Sequence, residues 1–368
     1  MERKSTTPIS FIIRHKDEYF NLTKTIESMG ADQALSAKDQ IIVSDDGSAE
    51  PPMGWPTLIN TLSEFAFPAR VHLVRKPKGL KLSGSAAAGQ RGSEVARNEF
   101  LCFLDSHMAF GKGWREFDIG NITAAHQSIF SPLWNPVARQ QWDFEIRDRE
   151  SDLGARWWWN ENIDGILSVF NFSKIGSSPS LSTPGFFPMS GCYFVSKHLF
   201  DYVGGFKGTP FNHGTEAVLA FKIGMSMGKK TPYCDSGAVC KWMKIGHVGT
   251  GRKQTNQATV EGIANGVALI AILDTWETAI HWLNNIPPSP IMVDVAKLVA
   301  ELRPEIKLAA IEYFEVRRWS LNDACEALKI RPPSEIRDAI SSLFGEPETF
   351  NLEKMKIQLE KEESNEAE

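Results

Sequence analysis

Residues 100–107 read Phe-Leu-Cys-Phe-Leu-Asp-Ser-His, a run of core-forming side chains that ends on a carboxylate and an imidazole one residue apart. Both groups are ligands for divalent cations. In an extended chain residues two apart point to the same side, so Asp105 and His107 at the carboxyl end of a strand can converge on one small target, a divalent ion. The competing reading is a strand followed by a turn, with Asp105 accepting backbone hydrogen bonds and His107 merely polar. Taken alone, the motif favours that plainer reading slightly. Two other apolar runs end in the same way: Gln40–Val43 leads into Ser44-Asp45-Asp46-Gly47-Ser48, and Lys244-Ile245-Gly246 leads into His247.

The elements that must position these groups alternate along the first third of the chain. Strand signals at Ile9–Ile13, Gln40–Val43, Val71–Val74 and Phe100–Leu104 are interleaved with helical stretches at Phe20–Met29 and Gly84–Ala96. That rhythm predicts a parallel or mixed sheet covered on both faces. Such sheets bind ligands beyond the carboxyl ends of their strands, where both acidic motifs fall.

The ordered set of motifs resembles the nucleotide-sugar glycosyltransferases of the GT-A fold, and among them the polypeptide N-acetylgalactosaminyltransferases. Ile12-Ile13-Arg14-His15-Lys16-Asp17-Glu18 resembles the family's first strand and its His-Asn-Glu turn. Ser44-Asp45-Asp46-Gly47-Ser48 is similar to its uridine-binding Asp-Asp pair, and Gly84 through Ala86-Ala87-Ala88 and Arg91-Gly92 to its small-residue helix. Phe103-Leu104-Asp105-Ser106-His107 resembles its Asp-x-His metal motif. Met189-Ser190-Gly191-Cys192, Gly204-Gly205-Phe206, Gly214-Thr215-Glu216 and Gly246-His247-Val248 follow in the family's order. The likeness spans residues 8–252.

The resemblance implies an α/β GT-A fold: a Rossmann-like, nucleotide-sugar-binding mixed sheet with helices on both faces, followed by a C-terminal helical region. The change to helical periodicity beyond Arg252 divides the chain into a catalytic domain (1–252), a helical region (253–350) and an acidic tail (351–368) expected to fray into disorder. The resemblance also implies Asp105, His107 and His247 as ligands of Mn²⁺, with Mg²⁺ as second choice, and a UDP-sugar donor. Without the Gly-His-Val pattern, His247 would read as a structural histidine. Asp46, with Asp45 as second choice, would contact uracil or ribose, although Asp-Asp-Gly-Ser is also an ordinary turn sequence. His15, Gly84 and Arg91 join the cofactor-binding set, as does Arg252, which reads equally well as a diphosphate cap or a solvated charge. Glu216 is the candidate catalytic residue. Inverting relatives place a Glu-Asp pair near this point, whereas Ala217 follows here, so an acceptor hydroxyl lacks the second acid as base and retention of configuration is favoured. The family's Gly-Gly-Glu-Asn is replaced by Gly214-Thr215-Glu216-Ala217, and a helix N-terminal charge is the competing role for Glu216.

The activity so implied is metal-dependent transfer of a hexose or N-acetylhexosamine to an acceptor hydroxyl on a protein or glycan. A second reading places the acceptor on hydroxymethylated bases of DNA, where the base would be flipped out to reach the metal. A third keeps the scaffold as a non-catalytic binding module. With 42% hydrophobic and 23% charged residues over 368 positions, a sizeable core is available. A net charge of −5 argues against coating nucleic acid by bulk electrostatics. Five scattered cysteines fit reduced thiols better than a disulfide framework. With neither a signal-type apolar core nor a run of about 20 apolar residues, a cytoplasmic enzyme of a bacterium or phage-infected cell is expected, unlike the membrane-anchored Golgi members.

Between 114 and 188 the pattern loosens and tryptophans gather, including Trp157-Trp158-Trp159. Core packing accounts for most of them, and one or two could face an acceptor or stack on a sugar. Ser173–Phe187 reads as a loop. Helical periodicity covers Val260–Leu283 and Val293–Trp319, and Ser320 and Ser334 are candidate caps of two further helices. Those two faintly resemble a helix-turn-helix, but the segment is charge-balanced and fits an ordinary helical hairpin better. The C-terminal region does not resemble the lectin module of many animal members.

Overall fold

The apolar run at 100–104 lies in the middle of a seven-stranded sheet. The computed structural model describes residues 7–80, 83–116, 119, 129–132, 136–137, 153–160, 166–174, 186–187, 191–209, 215–227, 237–240, 245–248, 256–274, 276, 279–280, 283, 290–320 and 323.

The strands in chain order are β1 (Ile9–His15), β2 (Gln40–Asp45), β3 (Arg70–Arg75), β4 (Phe100–Asp105), β5 (Met108–Phe110), β6 (Ile129–Pro132), β7 (Pro136–Val137), β8 (Leu153–Asn160), β9 (Ile166–Lys174), β10 (Phe186–Phe187), β11 (Cys192–Ser196), β12 (Gly237–Cys240) and β13 (Ile245–Val248). The helices are α1 (Tyr19–Gly30), α2 (Trp55–Ala66), α3 (Ser85–Val95), α4 (Lys197–Tyr202), α5 (Thr215–Met227), α6 (Asn256–Leu273), α7 (Pro290–Glu301) and α8 (Arg303–Phe314).

The main sheet runs β12-β6-β11-β4-β1-β2-β3. β4, β1, β2 and β3 are parallel, while β11 lies antiparallel to both β4 and β6. This is the mixed α/β architecture the sequence predicts. Alternation sorts the strands between two cores: Ile12, Leu101 and Phe103 face one, and Phe11, Ile13, Cys102 and Leu104 face the other. Helices α1 and α2 cover the second core with Leu22, Ile26, Leu58 and Leu62. The first is covered by α3, α5 and the C-terminal helices, whose Ala264, Leu269, Val295 and Ile306 join the same apolar cluster as Phe103. The C-terminal helices thus share a core with the sheet. In α6 every residue from Val267 to Leu273 is buried, the mark of an enclosed helix rather than a surface one.

Three parts differ from the sequence reading. Helix α2, between β2 and β3, was not foreseen; Pro56 sits in its first turn, where its missing N–H is harmless. Residues 153–160 and 166–174 form the antiparallel pair β8/β9 instead of irregular chain, and a register shift at Arg156/Trp157 breaks the period-2 pattern. Part of the expected loop 173–187 is strand, since β9 runs to Lys174 and β10 occupies Phe186–Phe187; residues 175–185 lie outside the described residues. The expected cap at Ser320 is present as a reciprocal pair: Ser320 Oγ accepts from Asp323 N at 3.1 Å and Asp323 Oδ2 accepts from Ser320 N at 2.7 Å. The cap at Ser334, the helix-turn-helix segment and the tail lie outside the described residues.

Candidate active site

Asp105 ends β4, and His107 follows in the short turn before β5. His247 comes from β13, which pairs antiparallel with β5 so that His247 stands opposite Met108. A hydrogen bond from Val248 N to the His107 carbonyl (2.9 Å) closes the pair, carrying a residue 140 positions away into the Asp105 corner. Asp105 Oδ2, His107 Nε2 and His247 Nε2 form a triangle with sides of 3.1 Å (His107–His247), 3.6 Å (His247–Asp105) and 3.9 Å (His107–Asp105). Cis ligands of an octahedral ion at ~2.1 Å stand ~3 Å apart, so the triangle is slightly open but of the required size. One carboxylate oxygen and two imidazole nitrogens suit Mn²⁺ and its neighbours in the first transition row.

Neighbouring residues hold each corner. Glu18 Oε2 accepts from His107 Nδ1 at 2.8 Å, which places the ring proton on Nδ1 and turns the Nε2 lone pair toward the triangle. The same oxygen accepts from Ser106 Oγ (3.2 Å) and Asn21 Nδ2 (3.1 Å). Arg14 Nη2 lies 2.6 Å from Asp105 Oδ1. Burial alone would push the Asp105 carboxyl up, but Arg14 foremost, with His247 and His107 adding to it, outweighs burial and holds the group well below the usual carboxylate range. Gly191 forms the wall. Its carbonyl accepts from Asp105 N (2.9 Å), its φ is +65°, and a Cβ there would come within 2.7 Å of both Asp105 Oδ2 and His247 Cδ2.

A second constellation lies at the end of β2. Asp45, fully buried, accepts from Ser48 N (3.1 Å) and Gly47 N (3.3 Å) and pairs with Arg75 Nε at 3.5 Å. Asp46 ties three elements together: Oδ2 accepts from Ser83 Oγ (2.6 Å) and Gly84 N (2.7 Å), and Oδ1 from Arg91 Nη2 (2.8 Å). Gly84 precedes α3 with φ +128°, in the region that favours glycine. Asp46, Gly84 and Arg91 therefore meet, whereas Asp45 belongs to its own turn. His15 is buried between Tyr19 and Trp55, with ring centroids at 5.1 and 6.2 Å, and both its nitrogens are buried without a protein partner. Desolvation lowers its pKa, so it sits there neutral.

Glu216 lies in the first turn of α5, and its side chain and Arg252 fall outside what the structure describes. Arg14, Glu18 and Gly191 were not singled out as site residues. An arginine following the three apolar residues Phe11, Ile12 and Ile13 of a central strand was the available signal, because a buried guanidinium needs a carboxylate partner.

The fold and the metal-competent corner define a GT-A-type protein. No protein-family model matches the chain. Among solved structures it superposes on GalNAc-T7, crystallised with UDP, GalNAc and Mn²⁺, with TM-score 0.53, 16% identity, and coverage of 92% of this chain and 59% of that one. In sequence it is similar to the putative polypeptide N-acetylgalactosaminyltransferase 10 of Drosophila melanogaster, 24% identical over 54% of this chain and 30% of the relative. It is also similar to polypeptide N-acetylgalactosaminyltransferase 18 of Homo sapiens, 22% identical over 76% of this chain and 44% of the relative. The chain thus spans less than half the length of these curated relatives. It is a GT-A-fold protein that resembles the polypeptide N-acetylgalactosaminyltransferases.

Proposed function

We infer that the chain is a metal-dependent glycosyltransferase that moves a hexose or N-acetylhexosamine from a UDP-sugar to a hydroxyl of a protein or glycan, with retention of configuration. The observation that carries this reading is the convergence of Asp105 Oδ2, His107 Nε2 and His247 Nε2. These three residues would hold Mn²⁺, which when bound supplies neutralisation of the charge that grows on the departing diphosphate. Glu18 fixes the His107 tautomer, and Gly191 keeps the face of the triangle open. Asp46, Gly84 and Arg91 shape the loop where the nucleoside would lie, and the unpartnered nitrogens of His15 could hydrogen-bond it. The acceptor oxygen bonds to the anomeric carbon as the carbon–diphosphate bond breaks, and the acceptor proton passes to the departing diphosphate oxygen. Glu216, at the start of α5, would orient sugar or acceptor. The GalNAc-T7 likeness supports UDP and Mn²⁺ as the ligands to try first.

Calorimetric titration of UDP and UDP-sugars, with Mn²⁺ and with chelator, tests this. Metal-dependent binding that disappears in Asp105→Ala and His247→Ala is expected. No binding under any condition would overturn the reading in favour of a non-catalytic scaffold.

A further inference from the structure

Arg14 has no assigned part in that chemistry, yet it is a charged side chain only 6% exposed within the sheet. The β1/β4 register sets it level with Asp105. Its guanidinium is pinned on two sides: Nη2 to Asp105 Oδ1 at 2.6 Å, and Nη1 donating to Tyr193 Oη at 3.2 Å with the group 5.4 Å from the Tyr193 ring centroid. Tyr193 is itself stacked on Phe103 at 5.4 Å. Arg14 thereby divides the carboxylate, taking Oδ1 and leaving Oδ2 as the oxygen that faces the two histidines.

Resting on the donor-site reading above, we propose that Arg14 is a positioning residue that makes cation binding at Asp105, His107 and His247 depend on the nucleotide. Asp105 brings the only formal negative charge among the three ligands, and Arg14 cancels it. A divalent cation entering alone meets a ligand set of zero formal charge with a guanidinium behind it, while Glu18, the next carboxylate among the described residues, is engaged on the far side of His107. The diphosphate of the donor supplies the missing negative charge. Metal and nucleotide then bind as a pair, and by linkage each raises the affinity of the other by the same factor. Oδ2 as the single available oxygen also fixes the cation's position relative to the histidines.

The test is Mn²⁺ binding by the full chain, read from the electron paramagnetic resonance of free Mn²⁺, with and without saturating UDP. Arg14→Met is expected to bind Mn²⁺ alone about tenfold tighter or more, with a correspondingly smaller enhancement by UDP, while Arg14→Lys keeps the wild-type coupling. Should Arg14→Met fail to fold by circular dichroism, Arg14→Gln carries the same expectation. An unchanged or weaker affinity for Mn²⁺ alone in the folded neutral variants overturns the proposal and leaves the donor site standing. A wild-type protein that binds neither Mn²⁺ nor UDP overturns both.

Discussion

The ends of β2 and β4 carry the same sequence design, an apolar strand that stops on acid, and the fold uses them in opposite ways. At the end of β2 the carboxylates turn toward the protein: Asp45 caps its own turn, and Asp46 receives Ser83, Gly84 and Arg91. At the end of β4 one oxygen of Asp105 is given to Arg14 and the other faces two imidazoles. A carboxylate surrounded by protein donors is committed to the scaffold, and one that shares a small space with two imidazole nitrogens is placed where it could serve as a ligand. The difference comes from the partners, not from the strand or the acid, and substitutions separate the two uses.

Asp105→Asn should show the largest functional effect. It preserves volume while removing the charge, so turnover is expected to fall about 10³-fold, in line with the several kcal/mol a bound metal contributes to charge stabilisation. A progress-curve assay on a UDP-sugar checks it, and near-wild-type turnover would break the contrast at its stronger end. Asp46→Ala should instead act on the fold. It strands the buried Gly84 N–H and the Arg91 guanidinium, 13% exposed, at a cost of about 3 kcal/mol in urea unfolding. His107→Ala, by comparison, should change stability by less than about 1 kcal/mol while abolishing metal-dependent UDP binding. If Asp46→Ala unfolds no more easily than His107→Ala, the assignment of the β2 end to scaffold is wrong.

Glu18→Gln is a smaller perturbation, because the carboxamide can still accept from His107 but without charge. Outer partners of metal-binding histidines typically account for 10–100-fold in affinity, and a loss in that range is expected by Mn²⁺ titration. An unchanged affinity would mean that the tautomer is set elsewhere.

Local periodicity made the strands and their carboxyl ends legible, since β1, β2, β3 and β4 each begin and end within two residues of the expected runs. Pairing over long distance was not legible. β5 and β13 are three and four residues long and 140 positions separate His107, just before β5, from His247 in β13, so only the resemblance linked His247 to Asp105. Arg14 was visible but its partner was not, because the β1/β4 register that sets it beside Asp105 is a property of the assembled sheet. Asp46 could not be ranked as scaffold because its partners at Ser83, Gly84 and Arg91 arrive with α3 and the turn before it. Trp157–Trp159 read as loose chain because the shift at Arg156/Trp157 hides a strand.

The smallest effect tests a third kind of buried charge, at the joint where α8 meets α5. Lys222 is 1% exposed, and its Nζ donates to the Gly205 carbonyl at 2.8 Å beside the Tyr313 ring. Tyr313 Oη donates in turn to the Lys222 carbonyl at 2.7 Å. Unlike Asp46, this group lies among apolar side chains, with the Gly205 carbonyl as the one acceptor of its amine among the described residues, and burial pulls its pKa down to about 7 from the ordinary 10.5. Between those values the unfolded chain holds a proton that the folded chain has released. Stability therefore rises with pH across that window, by up to ~1.4 kcal/mol per pH unit from this one group. Tyr313, whose pKa is raised by burial, reverses the trend above the ordinary tyrosine value of 10.0, so the rise is clearest between about pH 7 and 9.5. Lys222→Met should flatten that rise and, after the cost of leaving the Gly205 carbonyl without its donor, stabilise the protein by about 1 kcal/mol at pH 7.5. Chemical unfolding at several pH values measures both. A slope unchanged by the substitution would show that Lys222 stays protonated within the joint, and would move it into the same class as Asp46, a charge the fold has fully matched.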